Sequence, residues 1–159
     1  MSARSESLAK QFEARAADMA AAIEKLTDAD WKKVSSAEKW SVGVTAHHVA
    51  GAHEEIAGIV KAIAAGQSLP NFAMAMIDEM NAKHAIEHAK CTKAETLALH
   101  KKGAATAAAV VRGLSDAELD RSGTVLAGMP AMTTQQVIEG ILINHIEEHL
   151  GSIRATVGR

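Results

Sequence analysis

Residues 137–153 read VIEGILINHIEEHLGSI. At about 100° per residue, the turn of an α-helix, Ile138, Ile141, Leu142, His149 and Ile153 fall on one stripe. His145 falls within that stripe and His149 near its centre, so the pattern predicts an amphipathic helix with two imidazoles one turn apart on its inner face. Thr133 and Gln136 have capping-box spacing and open this helix, which is expected to run to about Thr156, before Gly158.

The same period recurs upstream. A first helix is expected over roughly 5–26, with Leu8, Phe12, Met19, Ile23 and Leu26 in register. Residues 27–39 (TDADWKKVSSAEK) are polar and turn-rich and read as a loop carrying Trp31. Ser41 has the character of an N-cap, with Trp40 before it placed to pack back on the helix that follows over 42–65. Pro70 precedes a third helix over about 71–90. Thr92-Lys93-Ala94-Glu95 is again a capping box and predicts a new helix reaching about Arg112. Residues 113–132, which hold three glycines and a proline, read as a long connection containing a short irregular turn or hairpin.

Composition agrees. Ala, Leu, Glu, Lys and Met abound, while the 159 residues include two prolines, two phenylalanines and no tyrosine. That favours helix and disfavours strand. The expectation is an all-α protein, a single four-helix bundle domain over 1–159 with an additional short or broken helix. A formal charge of −2 disfavours nucleic acid as a partner. No signal-like or membrane-spanning apolar run is present, and the single Cys91 suits a reducing compartment, so a cytoplasmic setting without membrane is expected.

Eight histidines are unusual for this length, and their placement carries the functional reading. His145 and His149, both directed inward, have the spacing to hold one metal ion with neighbouring ring nitrogens. A third ligand should come from another helix. On the second helix the apolar stripe is Thr45, Val49, Ala52, Ile56, Ile59 and Ile63. His47 falls nearly opposite and reads as solvent-exposed; His48 lies at one margin and His53 at the other, and periodicity does not choose between them. A rival pair, His84 and His88, has the same spacing, with His84 on the face of Ala73, Ile77 and Met80; Asp78 and Asn81 could line a pocket there. Against a metal role, Lys83, Glu87 and Lys90 make that helix end polar, where histidine is favoured by the helix dipole.

Trp40-Ser41-Val42-Gly43, with His48 eight residues after the tryptophan, resembles the first signature of the DinB-like superfamily. His145-Ile146-Glu147-Glu148-His149-Leu150-Gly151-Ser152-Ile153 resembles its C-terminal ending, and Leu26–Trp31 and Leu114–Leu119 resemble its inter-helix loops. The middle of the chain, with Asn81 and the Thr92–Glu95 helix start, is loosely similar to the branch of mycothiol-dependent maleylpyruvate isomerases. The resemblance implies a bundle in up-down-down-up order and a divalent metal, zinc or nickel, held by His48, His145 and His149; it selects His48 over His53. Many members carry an acid where this chain has Val44, which weakens the helix start more than the site.

The resemblance implies, at such a site, a metal-dependent thiol S-transferase or hydrolase, with a low-molecular-weight thiol and a small-molecule substrate as partners. Glu148 and Glu55 are candidates to accept imidazole N–H groups. No general base or nucleophile is identified, and Cys91 reads as a helix-boundary residue. The alternatives are a non-catalytic metal-binding or stress-associated protein, and a helical dimerisation module with structural histidines; an Ala- and Met-rich bundle is compatible with a homodimer.

Overall fold

Each long helix but one begins where the sequence supplies a side chain to accept its first free amides. In the computed structural model, which describes residues 2–159, Ser2 caps α1 (Ala3–Lys25), Thr27 caps α2 (Asp28–Lys32), Ser41 caps α3 (Val42–Ala64) and Thr92 caps α5 (Lys93–Arg112). Ser115 caps α6 (Asp116–Asp120) and Thr133 caps α7 (Thr134–Val137). The exception is α4 (Met74–Glu87), which starts after Ala73 with no side-chain cap. The 27–39 loop of the sequence reading therefore contains a short helix, and the third helix is shorter at both ends than its pattern suggested. At Ser41 the hydroxyl accepts from the Val44 amide at 3.1 Å, so the helix starts without the acid that Val44 displaces.

The last helix is continuous over 134–157 but not uniformly α. Between α7 and α8 (Asn144–Val157) lies a π-helical segment, Ile138–Ile143, in which the backbone bonds reach one residue further. Ahead of it, β1 (Ser122–Gly123) and β2 (Met132–Thr133) pair antiparallel, the hairpin expected in the long connection.

Hydrogen bonds fix the directions. The end of α5 lies at the start of α1, where the Ser5 hydroxyl donates to the Arg112 carbonyl, and Lys93 at the start of α5 donates to the carbonyls of Glu24 and Leu26; α1 and α5 are antiparallel. Cys91 donates to the Gly43 carbonyl and Thr106 to Glu54, so α3 and α5 run parallel. Arg4 donates to Gln135 while Arg159 donates to the Lys25 carbonyl, so the last helix runs parallel to α1. The order is up-down-down-up, a four-helix bundle of α1, α3, α5 and 134–157.

The core is apolar from each of the four bundle helices: Phe12, Met19 and Ile23 of α1, Val49, Val60 and Ile63 of α3, Ala107 and Val111 of α5, and Ile138, Leu142, Ile146 and Ile153 of the last helix are all buried. Each large side chain so buried contributes about 1.5–3 kcal/mol. The parallel pair α3 and α5 packs closely because Gly103 lets it; a Cβ there would stand 3.1 Å from the Ala50 carbonyl oxygen and 3.3 Å from His53 Cβ. Gly43 is likewise required, since any side chain there would collide with the Trp31 indole, whose N–H donates to the Cys91 carbonyl at 2.9 Å. By contrast α4 contributes no buried residue and leaves Met74, Met76, Met80 and Ile86 exposed. Among the described residues, no helix is long and apolar enough to cross a membrane.

Candidate metal centre

Ser41 starts α3 so that His48 lies two turns in, on the side turned to the last helix. The π segment then decides what the last helix presents. A π turn advances less around the axis per residue than an α turn. Ile146, Leu150 and Ile153 thereby come into register with Ile138 and Leu142 and are buried, while Ile141 is only half-buried. His145 and His149 swing to the margin of the stripe instead of its centre, facing α3.

There the three imidazoles of His48, His145 and His149 meet, each offering a ring nitrogen within 4.8 Å of the others. His48 packs edge-on against both partners, with ring centroids 4.8 Å from His145 and 5.1 Å from His149, and the Trp40 indole closes over it at 5.2 Å. The expected packing of Trp40 on the helix is therefore packing on this ring. Nε2 of His145 lies 2.9 Å from Nε2 of His48, while Nδ1 of His145 is buried without a hydrogen-bond partner. Burial first, and then the neighbouring imidazoles, push His48 and His145 down to about 3, so both are neutral with lone pairs available.

The carboxylate that serves the site is Glu38. It lies 3.0 Å from His149 Nδ1, in the position to accept that N–H and leave Nε2 free. Burial alone would raise the Glu38 pKa, but hydrogen bonds with Ser35, Ser152 and His149 outweigh it and hold the carboxyl below its usual value. The loop that carries it is closed on itself: Val42 donates to the Lys33 carbonyl at 2.8 Å and Ser35 to the Trp40 carbonyl at 2.9 Å. Within it the Ser35 hydroxyl bonds the Glu38 carboxylate and accepts from the Glu38 amide. Lys39 adopts a left-handed φ of 65°, which turns the chain between Glu38 and Trp40. The sequence signal was present, since Ser35-Ser36-Ala37-Glu38 has the S-x-x-E spacing of a capping box. Glu148, expected in this role, is exposed and accepts from Asn144, and Glu55 lies in a neighbouring cleft wall, where partial burial raises its pKa.

The other histidines sort clearly. His53 is turned away into the core, its Nε2 3.0 Å from Nδ1 of His100, whose own Nε2 lies 2.8 Å from the Ala16 carbonyl oxygen. His47 corrects the sequence reading: it is buried, because α4 crosses the face of α3 that periodicity assigned to solvent. There it meets His84 and His88. The cleft between α3 and α4, beside His48, is lined by Asn81, His84 and Glu55; Asp78 is exposed. Cys91 is buried at a helix boundary, its thiol bonded to the Gly43 carbonyl and its pKa raised by burial.

This arrangement of three converging imidazoles, with a carboxylate behind one of them, fits a borderline divalent cation. Comparison with known proteins gives the context. No curated protein matches the chain. Among solved structures it is similar to the mycothiol-dependent maleylpyruvate isomerase at 13% identity and a TM-score of 0.74, covering 94% of this chain and 60% of the isomerase. It is also similar to YfiT from Bacillus subtilis, described as "a probable metal-dependent hydrolase with an unusual four-helix bundle topology", at 18% identity and a TM-score of 0.74, over 99% of this chain and 90% of that one. At these identities the likeness speaks for the fold alone. The model of the DinB superfamily matches residues 11–153, and the chain belongs to that superfamily.

Proposed function

We propose that His48, His145 and His149 hold one divalent first-row metal ion, zinc or nickel, and that the protein is a metal-dependent thiol S-transferase or hydrolase. The observation that carries this reading is the convergence of the three ring nitrogens within 4.8 Å of one another at the edge of the core. When bound, such an ion supplies a Lewis acid that polarises a carbonyl or acidifies a water or thiol. The chain's own residues do the rest. Glu38 holds His149 in one tautomer and orientation, Trp40 shields His48 from water, and the buried surroundings keep His48 and His145 unprotonated at neutral pH. Asn81 and Glu55 line the adjoining cleft and would meet a substrate there.

Thiol dependence enters from the isomerase neighbour, whose name states mycothiol, and hydrolysis from YfiT. Screening with mycothiol, bacillithiol and glutathione surrogates separates the two activities. A cytoplasmic setting belongs to the same proposal, as the lone buried thiol of Cys91 suits reducing conditions. A homodimer would cover the methionines that α4 leaves exposed, which light scattering would read.

One observation favours the alternative of purely structural histidines: His48 and His145 are close enough, at 2.9 Å, to share a proton directly. Elemental analysis of untagged protein decides. Wild type should retain more metal than His48→Ala and His149→Ala at equal helical content. Equal, near-zero metal in all three folded proteins would overturn the metal reading.

A further inference from the structure

His47 and His48 are consecutive but point about 100° apart around α3. Each therefore serves a different neighbour. His48 meets the last helix; His47 meets the final turn of α4, where His84 and His88 lie one turn apart. The three rings form a cluster as close as the first, with ring nitrogens within 4.8 Å of one another. Nδ1 of His47 lies 2.8 Å from Nε2 of His84, and the His47 and His88 rings stack at 4.1 Å with 22° between planes. Nδ1 of His84 is buried without a hydrogen-bond partner. Glu95 and Glu87 bear on His47 and His84 only through space, and His47 and His84 bond each other rather than a carboxylate.

The setting makes this cluster unusual. The hold on α4 is otherwise slight among the described residues: it has no buried residue, no side-chain cap at its start, and four large apolar side chains in solvent. A helix with so little apolar burial needs another source of tertiary stability. Three imidazoles that crowd one another, with one nitrogen buried and unpaired, are a costly way to supply it unless a cation joins them. All-nitrogen donor sets select zinc, nickel, cobalt or copper over magnesium or calcium.

We propose that His47, His84 and His88 form a second site for a divalent first-row transition ion, separate from His48, His145 and His149, which pins the last turn of α4 to α3. The two sites are neighbours, since the His48 and His84 rings are 5.7 Å apart. The second ion would thus hold in place the wall of the cleft that adjoins the first.

The test uses full-length, untagged, chelator-stripped protein titrated with Co²⁺ and Zn²⁺. Bound metal is counted after gel filtration, and hydrogen exchange is followed in 74–88. Wild type should take up two ions per chain, His88→Ala one and His149→Ala one. Exchange in α4 should slow on metal addition in wild type and in His149→Ala, and not in His88→Ala. His88 is half-buried at the helix end, so its loss should leave the bundle folded, and His84→Gln provides a second variant with matched helical content. A single ion that survives in His88→Ala and His84→Gln but disappears in His149→Ala would overturn the second site and leave the first standing. An ion lost only in the α4 variants would do the reverse. Two ions with α4 exchange unchanged by either would overturn the pinning role.

Discussion

Two of the three histidine groups are built on opposite terms. His53 and His100 form a closed chain: each ring bonds the next, the last bonds the Ala16 carbonyl, and both rings are shut away from solvent. His48, His145 and His149 form an open one, ending in a buried nitrogen without a partner on one side and in Glu38 on the other. His100, with both ring nitrogens bonded within the fold, belongs to the fold. His145, held neutral with one ring nitrogen unfilled beside two other imidazoles, is available to a ligand.

The comparison breaks most visibly at His53. His53→Ala would leave a cavity under Phe12, whose ring meets it edge-on, and strand the Nδ1 of His100. We expect a loss of about 3 kcal/mol by urea unfolding, with the metal count unchanged. His149→Ala should invert that result, losing metal while the metal-free stability moves little.

Acid should act next. Burial first, then His100, pushes His53 down to about 3 in the fold, whereas its ordinary value is 6.5. Below that ordinary value the unfolded chain takes up a proton that the folded one refuses, so stability falls as pH falls, by about 1.4 kcal/mol per unit from this residue. Between pH 6.5 and 5 the share is about 2 kcal/mol. Urea unfolding of metal-free protein across that window should show it, and His53→Leu should flatten the slope by that one proton.

Glu38→Gln keeps the shape of the side chain and removes its charge. Metal affinity at the first site should fall about tenfold in a competition titration, with the His53 pair unaffected. The smallest effect belongs to Lys39→Gly. Relieving a left-handed backbone beside Glu38 should raise stability by about 0.5–1 kcal/mol, measured by the same unfolding curves.

Much of this was readable beforehand. The caps at Ser41, Thr92 and Thr133 are local chemistry and lie where their side chains placed them. Spacing put His145 and His149 on one face and family resemblance added His48, and the three rings do cluster. Three features escaped for physical reasons. The burial of His47 depends on α4 crossing α3, a long-range contact that a single-helix period cannot express. Glu38 reaches His149 across 111 residues from a loop whose closure is a matter of backbone bonds. The inward stripe of the last helix was drawn for a pure α-helix, which credited His149 with the central place that Ile146 and Leu150 occupy.

That last discrepancy has a genetic reading. The π segment behaves as a one-residue insertion retained in the middle of a helix, with Gly140 inside it. Deleting a single residue there would restore an unbroken α-helix and keep everything downstream in phase, whereas regularising the segment to α at its present length would rotate everything downstream by about 100° against the bundle. In that rotated helix Ile146 and Leu150 would leave the core and His149 would leave Glu38. The site and the downstream core therefore share one phase, set by the π segment, and a loss of that segment at unchanged length would strike both at once, whereas point substitutions at the ligands would strike only the site.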